Sequence, residues 1–498
     1  MMKINYCLNL NKLYSSFSIW PVVLFGLILR LVNINAPVIG VHSWRQADTA
    51  SIAKNFLSNN LNLFQPQVNW SGATNGLVES EFPLYQYLVA NIYKIFGFNE
   101  VFARLLSVLF GCLSIFFLFR LIKQVFSIEV AWWGSLFYAI LPISVYYNRT
   151  IQPESLMIFL GIFSLERWMT FLDNKNKTIL FLSWISFTLA VLIKVLPLFW
   201  IGLPILVTAY QRSVFFKFKL YILPILTILI SYCWYSYSYK IGQLTGLTFG
   251  LWGADTDRYS WLTLLELRFY IDLFIRLLFR NFLLIGFLPF CLAIKEIGIN
   301  NIFSIGIISV FITGLINPIS FSVHEYYQLP LMIFICPLMG LGFVRLKRKF
   351  YNQKYLIYGF ISLLFIGSLI MLKVDYWNKE VTANQPVWET AELIKNHTNE
   401  LDLVVSVTGR DPTLLYLSHR KGWLALPMEI NQKKILEWKE KGAKYIAGSW
   451  SVVESYNKFT DEKEKIKLYK LICRPSIPLH KSIKGCQDED NSYLMSLN

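Results

Sequence analysis

Four short polar stretches, each beside a long apolar segment, contain the side chains of this sequence that could do chemistry. They are His42–Thr49, Glu79–Tyr85, Tyr146–Glu154 and His324–Gln328. Ionisable groups near lipid are energetically expensive, so they indicate function in membrane proteins. Guanidinium groups bind phosphate oxygens through paired hydrogen bonds, and a carboxylate can accept the proton of an attacking hydroxyl. Acids and cations together therefore predict a site for a phosphate-bearing lipid.

The first two stretches contain the acids that could serve as a base. Arg45 and Asp48 are three residues apart at a predicted helix start, so their side chains can share one face. Asp48 could instead be a helix-start acid that the helix dipole stabilises. Glu79 and Glu81 precede Pro83, which is well suited to begin the next helix, so helix-start charge is their alternative role.

The last two stretches could bind phosphate or orient a substrate. Arg149 and Glu154 flank a turn between two apolar segments, where a structural ion pair is the alternative. The His324–Gln328 stretch could equally be a polar turn with interfacial tyrosines, and Lys194 could extend to the interface as a lysine at a span end does. The candidate site residues are His42, Arg45, Asp48, Glu79, Glu81, Arg149, Glu154, Lys194, His324, Glu325 and Tyr327, with Arg30 as a further cation.

The composition predicts the medium in which these residues lie. Of the 498 residues 55% are hydrophobic and 16% are charged, whereas about 25% are charged in an ordinary soluble protein. Apolar stretches long enough to cross a bilayer, roughly 17 to 25 residues each, predict an α-helical polytopic membrane protein with about eleven spans. They lie near 17–35, 101–121, 128–144, 152–171, 178–193, 195–211, 219–237, 277–294, 302–318, 327–344 and 355–373.

Basic residues in short loops predict the orientation of the chain. Loops with Arg120, Arg212 and Arg345–Lys354 fall on the same side of the spans as Lys3 and Lys12. That side is predicted to be the cytoplasm, and an odd number of spans places the C-terminal part and all four polar stretches outside. The net charge of +16 is thus explained by orientation, and nucleic-acid binding is not predicted. No small-residue cleavage signature follows the first apolar stretch, so it is predicted to be an uncleaved span.

Two domains are predicted, a membrane domain at residues 1–374 and a soluble extracytoplasmic α/β domain at residues 375–498. Within the first external loop, 36–100, two interfacial helices at Ala47–Leu57 and Tyr85–Phe96 flank a loop at Asn69–Gly76. After Lys373 helices alternate with short strands. The predicted elements are helices at 386–397, 411–417 and 433–441 and strands at 403–407 and 444–447.

Two further features have simple interpretations. A second external stretch, 239–268, contains Asp255, Asp257 and Arg258, and a solvated loop is the favoured interpretation. Cys473 and Cys486 share the exported domain and could form a disulfide.

At these residues the sequence resembles the GT-C membrane glycosyltransferases, in the bacterial branch related to protein mannosyltransferases and to the aminoarabinose transferases of lipid A. The resemblance covers about residues 20–350. It is carried by Leu29-Arg30-Leu31, Trp44–Phe56, Glu81-Phe82-Pro83-Leu84-Tyr85, Phe96-Gly97, Ala103-Arg104-Leu105, Gln152-Pro153-Glu154, Ile193-Lys194 and His324–Pro330. In one departure, Arg45-Gln46 replaces the adjacent acidic pair of the family, which leaves Asp48 one helical step later and Glu79 or Glu81 as alternative bases.

The resemblance implies an inverting glycosyltransferase of the bacterial inner membrane. A sugar would move from a polyprenyl-monophosphate donor to a hydroxyl of a lipid, glycan or protein acceptor on the outer face, where Asp48 would deprotonate that hydroxyl. Some members of the family use a divalent metal. Since the sequence has no dedicated cage of oxygen ligands, we predict that no metal or other cofactor is required.

The resemblance also implies roles for the remaining candidates. Arg45 and Arg149, with Lys194, would stabilise the leaving phosphate, because fixed cations act best where negative charge develops. Glu154 and His324 would orient the donor or the acceptor.

Three other functions are compatible with a polytopic chain. A transporter or flippase of lipid-linked sugars would have charges at midmembrane depth and repeat symmetry between its halves. A polysaccharide polymerase or ligase would have a large external loop late in the chain. In a third alternative the C-terminal domain does the work and the spans anchor it, for which eleven spans are excessive.

Overall fold

The computed structural model describes residues 17–215, 218–251, 261–384, 386–449, 468–470 and 492–496. Predictions outside these residues concern Lys3, Lys12, Asp255, Asp257, Arg258, Cys473 and Cys486.

Residue contacts divide the chain into two compact units. The helical unit comprises Met1–Ile34, Arg104–Ser236 and Gly253–Leu372, and the mixed unit comprises Asn35–Ala103, Tyr237–Trp252 and Lys373–Asn498. The mixed unit thus includes residues 36–100, the predicted first external loop, together with the C-terminal residues. The predicted domain boundary at 374/375 stays a prediction.

Helices account for most of the described residues of the helical unit. Those that lie wholly or partly in it are Trp20–Leu31, Glu100–Val125, Ile128–Ile140, Pro142–Tyr147, Glu154–Asn174, Lys177–Ile193, Pro197–Trp200, Gly202–Gln211, Ile222–Thr245, Leu267–Arg276, Phe287–Ile297, Ile302–Ile316, Pro318–Val323, Leu329–Lys349 and Lys354–Met371.

Among the described residues, four helical segments are long and apolar enough to cross a membrane by themselves: Glu100–Val125, Glu154–Asn174, Glu325–Lys349 and Lys354–Glu380. A fifth crossing is possible if Phe287–Ile297 and Ile302–Ile316, which meet at 113°, form one broken span. Shorter apolar helices lie in several other predicted spans, for example at Trp20–Leu31. The chain is a multi-pass membrane protein, and the count of eleven spans stays a prediction.

Glycines allow helix Leu329–Lys349, which is buried over most of its length, to approach its neighbours closely. A Cβ at Gly340 would lie 2.6 Å from the backbone nitrogen of Gly134, in helix Ile128–Ile140. A Cβ at Gly342 would overlap the backbone of Pro289. Close backbone contact of this kind stabilises helix pairs in lipid, where the hydrophobic effect between helices is absent.

A five-stranded sheet forms the C-terminal part of the mixed unit. Its strands are β1 Leu403–Val407, β2 Gly422–Leu424, β3 Ala443–Ser449, β4 Leu468–Lys470 and β5 Ser492–Ser496, and their order is β2-β1-β3-β5-β4. Strand β1 is parallel to β2 and to β3, and β5 is antiparallel to β3 and β4. The helices around it are Pro386–His397, Thr413–Leu417 and Gln432–Glu440. Each predicted C-terminal helix and strand is therefore present, with ends shifted by at most two residues.

Residues 36–100, the predicted first external loop, lie in the other part of the mixed unit. Its two helices, Ser43–Ser58 and Leu84–Phe96, are present where interfacial helices were predicted, and the first begins four residues earlier. Ile52, Phe56, Val68, Val78 and Ala90 form a buried cluster between them. The loop that joins the helices is closed at its base, since Val68 donates to the Gly76 carbonyl over 2.9 Å and Gln67 bridges Leu77.

Candidate active site

Asp48 is a buried acid in the second turn of helix Ser43–Ser58, where its side chain is 4% exposed. The indole Nε1 of Trp70 donates to Asp48 Oδ1 over 2.8 Å. The pKa of Asp48 is raised to about 7, chiefly by burial and further by the Asp411 charge. The Trp70 hydrogen bond and the Arg45 charge act in the opposite direction. A carboxyl with a pKa near neutral pH can accept and release a proton there. Asp48 is not in the first turn, so the helix-start role does not describe it.

Arg45 lies one turn before Asp48 and contacts two groups of the mixed unit. Its Nη2 forms an ion pair with Glu81 Oε2, and its Cζ lies 4.7 Å from the ring centroid of Phe249. The Arg45 and Glu81 side chains are both largely buried, so their ion pair is little screened by the solvent. The guanidinium is thereby held beside one of the alternative bases.

Glu79 holds a neighbouring segment of backbone. It is fully buried, and the amides of Phe249 and Gly250 donate to its Oε2 over 3.2 and 2.8 Å. Gly250 is required there, because a Cβ would lie 2.6 Å from the backbone nitrogen of Glu81. These contacts give Glu79 a structural task within the mixed unit.

His42 precedes the helix that carries Arg45 and Asp48. Its backbone has φ of 53° and ψ of 40°, the left-handed conformation. For a residue other than glycine this conformation costs about 1 kcal/mol, and such strain accumulates at functional sites. The strained turn fixes the direction in which the helix begins.

Glu154 and Lys194 form a buried ion pair in the helical unit. Lys194 Nζ lies 3.1 Å from Glu154 Oε1, with side-chain exposures of 9% and 1%. Glu154 begins helix Glu154–Asn174 and Lys194 follows helix Lys177–Ile193. Each charge thus complements the dipole at its own helix end.

Aromatic rings surround Lys194. Its Nζ lies 4.1 Å from the ring centroid of Tyr327 and 5.0 Å from that of Tyr326. The His324 ring stacks on Tyr326 at a centroid distance of 5.4 Å and an interplanar angle of 10°. The cation is therefore held by a carboxylate and two π faces, and we call Glu154, Lys194, His324, Tyr326 and Tyr327 the lysine cluster.

Glu325 extends the lysine cluster through Tyr326. The hydroxyl of Tyr147 donates to Glu325 Oε1 over 2.7 Å, and the Tyr147 ring lies 5.9 Å from that of Tyr326. Arg280 Nη1 lies 3.9 Å from Glu325 Oε2. Two of the predicted stretches, Tyr146–Glu154 and His324–Gln328, thus meet in the helical unit.

Arg149 and Arg30 are both fully buried and bind backbone oxygens. Arg149 Nη2 donates to the Asn33 carbonyl over 2.9 Å. Arg30 donates to the carbonyls of Gly26, Ala139 and Ser144 over 3.0 to 3.2 Å. Arg30 therefore joins its helix to helix Ile128–Ile140 and to the start of the short helix that follows.

Several residues in these clusters were not among the sequence candidates: Trp70, Tyr147, Phe249, Arg280 and Tyr326. Tyr147 and Tyr326 lie inside the predicted stretches Tyr146–Glu154 and His324–Gln328, so those motifs already indicated their positions. Trp70, Phe249 and Arg280 lie in a predicted loop, a predicted external stretch and a predicted span, where no motif singled out these residues. In the part of the chain that the structure describes, no group of three or more His, Cys, Asp or Glu side chains could hold a metal ion, and the prediction that no metal is required stays a prediction.

The comparisons with known proteins agree with this architecture. Residues 80–236 match the family described as dolichyl-phosphate-mannose-protein mannosyltransferase. ArnT from Cupriavidus metallidurans superposes with a TM-score of 0.63, covering 96% of this chain and 97% of its own at 13% identity. The chain has the GT-C fold. The resemblance inferred from the sequence is confirmed, in the fold and in residues 80–236.

Two further solved GT-C structures share the fold. AglB from Archaeoglobus fulgidus has a TM-score of 0.53 at 11% identity, covering 88% of this chain and 70% of its own. The arabinofuranosyltransferase AftD from Mycobacteria has a TM-score of 0.52 at 12% identity, covering 96% of this chain and 39% of its own. No curated protein sequence matches significantly. The matched segment contains Glu81, Arg149, Glu154 and Lys194, whereas Asp48 and His324 lie outside it.

Proposed function

We propose that this protein is an inverting glycosyltransferase of the bacterial inner membrane. It moves a sugar from a polyprenyl-monophosphate donor to a hydroxyl of a lipid, glycan or protein acceptor on the extracytoplasmic face. In support, one ArnT structure is bound to undecaprenyl phosphate and one AglB structure contains a dolichol-phosphate. The sequence places the N-terminus in the cytoplasm and the C-terminal residues outside.

The observation that carries the proposal is the state of Asp48. Burial raises its pKa to about 7, which is where a general base is most effective at neutral pH. Glu79 accepts from backbone amides and Glu81 is paired with the Arg45 charge, whereas Asp48 accepts from the neutral indole of Trp70. Asp48 is therefore the base, and Glu79 and Glu81 are the alternatives.

In the proposed reaction Asp48 accepts the proton of the acceptor hydroxyl. The acceptor oxygen bonds to the anomeric carbon on the face opposite the phosphate, which inverts that carbon. The bond between the anomeric carbon and the phosphate oxygen breaks, and its electron pair stays on the phosphate. The products are the glycosylated acceptor and the polyprenyl phosphate.

The lysine cluster supplies the phosphate-binding cation of the proposal. Lys194 has three N–H donors, and Glu154, Tyr326 and Tyr327 hold its ammonium group in place. A fixed ammonium stabilises the charge that develops on the leaving phosphate. His324, which stacks on Tyr326, and Glu325, which accepts from Tyr147, orient the donor, and Arg149 adds positive charge.

The proposal is tested with purified protein in lipid nanodiscs, radiolabelled polyprenyl-phosphate sugars and candidate lipid, glycan and peptide acceptors. We expect wild-type protein to transfer sugar and Asp48→Asn to lose at least about a hundredfold, since removing a general base costs 10²- to 10⁴-fold. The matched control is Asp272→Asn, because Asp272 is exposed and pairs only across one helical turn with Arg268.

Each outcome decides one part of the proposal. If Asp48→Asn transfers sugar as fast as the parent, Asp48 is not the base, and Glu79→Gln and Glu81→Gln are compared next. If the wild type moves donor across the bilayer of sealed vesicles and never transfers the sugar, the flippase alternative replaces the proposal.

A further inference from the structure

The segment Asn69–Gly76, which we call the Trp70 loop, lies in the mixed unit between the helix that carries Asp48 and the sheet. Its indole donor reaches the carboxylate of Asp48. The loop is closed at its base by the Val68–Gly76 hydrogen bond and by the amide of Val78, which donates to the Pro66 carbonyl over 3.0 Å. Because these hydrogen bonds close the loop only at its base, contacts with neighbouring segments set the position of Trp70.

Strand β2 holds the loop on the sheet side. The amide of Gly422 donates to the Asn69 carbonyl over 3.0 Å, and the amide of Gly72 donates to the Gly422 carbonyl over 2.6 Å. Strand β2 is at the edge of the sheet, so the loop occupies the backbone groups that an edge strand leaves unpaired. The Trp423 ring lies against Gly72, where φ is +65°. A side chain at Gly72 would meet both backbone strain and that ring.

Helix Ser43–Ser58 holds the same loop on its other side. Asn55 Nδ2 donates to the Gln67 carbonyl over 2.8 Å and to Asn69 Oδ1 over 3.1 Å. Asn55 is two turns after Asp48, so both side chains lie on one face of the helix. Asn69 is thus bound both by the helix that carries Asp48 and by β2.

We propose that the C-terminal sheet positions the base: by fixing the Trp70 loop through Gly422 and Trp423, it aims the Trp70 indole at the Asp48 carboxylate. The inference rests on the proposed function, since it gives the sheet a task at the acid that we assign as the base. Trp70 is a positioning residue, because it acts on Asp48 rather than on a substrate. The sheet acts one step further away, through the loop.

The charged groups that act on Asp48 set the sign of the test. They are Arg45, whose charge lowers the pKa of Asp48, and Asp411, whose charge raises it. The Trp70 hydrogen bond also lowers it, because an N–H donor stabilises the ionised carboxylate. Loss of that bond raises the pKa of Asp48, so the acid limb of the rate profile moves to higher pH.

The first experiment compares Trp70→Phe with the wild type in the nanodisc transfer assay over about pH 5 to 9. We expect the acid limb of kcat/KM to move upward by about one pH unit, as for the loss of one hydrogen bond to a charged group. The matched control is Trp184→Phe, which removes an indole donor that binds the Leu223 carbonyl and Thr227 in the helical unit. Its profile is expected to keep the wild-type limb.

The second experiment asks whether the sheet acts through the same hydrogen bond. Trp423→Ala removes the ring that holds Gly72 and introduces no backbone strain, and we expect its acid limb to move in the same direction as that of Trp70→Phe. In the double variant Trp70→Phe/Trp423→Ala the limb should move no further than in Trp70→Phe alone, since two changes that act through one contact are not additive.

A readout that needs no substrate accompanies these profiles. The difference in melting temperature between a parent and its Asp48→Asn derivative grows with pH and becomes constant near the folded-state pKa of Asp48, and we call that pH the plateau pH. That pH should be higher in the Trp70→Phe background than in the wild-type background.

The outcomes separate this inference from the proposed function. An unchanged limb and an unchanged plateau pH in Trp70→Phe overturn the inference, even if Asp48→Asn is inactive. An active Asp48→Asn protein overturns the assignment of the base, whereas a higher plateau pH in Trp70→Phe would still show that the indole acts on Asp48. Strictly additive shifts in the double variant would show that Trp423 does not act through Trp70. The inference would then be overturned for the sheet and would hold for Trp70 alone.

Discussion

Replacing Asp48 by asparagine should make the protein inactive and, above neutral pH, more stable. Burial raises the pKa of this carboxyl from its ordinary value of 3.8 to about 7. Ionising it in the folded protein is therefore unfavourable, and asparagine avoids that cost while keeping an oxygen that can accept from Trp70. We expect stability and transfer to change in opposite directions at this one position.

The sign and the size follow from proton linkage. Below about pH 4 the carboxyl is protonated in both the folded and the unfolded chain, so it contributes nothing. Between about pH 4 and 7 the folded chain binds more protons, so the stability of the wild type falls as the pH rises. Above about pH 7 the full cost applies, and a difference of about three pH units corresponds to about 4 kcal/mol at most.

The assay is thermal unfolding in lipid nanodiscs, followed by tryptophan fluorescence at about pH 4 and about pH 8.5. We expect Asp48→Asn to melt several degrees above the wild type at the higher pH and close to it at the lower pH. Asp272→Asn serves as the control, since the same change of carboxyl to amide is made there at an exposed side chain. A gain for Asp48→Asn that is equal at both pH values would refute the reasoning, because the carboxyl would then not be held in an unfavourable charged state.

Three further predictions test the remaining contacts. Glu79→Gln should lower the melting temperature more than Glu81→Gln, because two backbone amides depend on Glu79; equal losses would contradict its structural role. Lys194→Met should raise KM for the donor by about tenfold to a hundredfold and should destabilise the protein, because Glu154 loses its buried partner. Adding Glu154→Gln should restore the stability but not the KM. Restoration of KM would exclude a phosphate-binding role for Lys194. Arg30→Lys should cost about 1 to 3 kcal/mol in thermal unfolding, because an ammonium lacks the planar fork that spans three carbonyls; an unchanged midpoint would argue against that packing role.

Helix positions and the local residues of the candidate site could be predicted from the sequence, because both depend on short-range patterns. Apolar runs identified helices such as Glu154–Asn174, and turn residues identified the acids beside them. The alternation of apolar strands and amphipathic helices after Lys373 likewise predicted β1 and its neighbours. All of these signals lie within about 20 residues of chain.

The partners of the site residues could not be predicted, because most of them are distant in sequence. Tyr147 and Glu325 are separated by 178 positions, and Arg45 and Glu81 by 36. Arg30 is another example. From the sequence it was a candidate phosphate-binding cation, but in the structure its guanidinium donates to backbone carbonyls. Which group a buried charge binds is decided by packing, and no local spacing contains that information.

The pairing of the Trp70 loop with β2 also has a consequence for how the C-terminal residues can be handled. Asn69 and Gly72 occupy the outer backbone groups of Gly422, so the intact chain hides that border of the sheet. If residues 375–498 were expressed alone, the border would be bare and could template strands from other molecules. We therefore expect the isolated fragment to oligomerise or precipitate, and a fusion that supplies residues 66–78 to keep it monomeric.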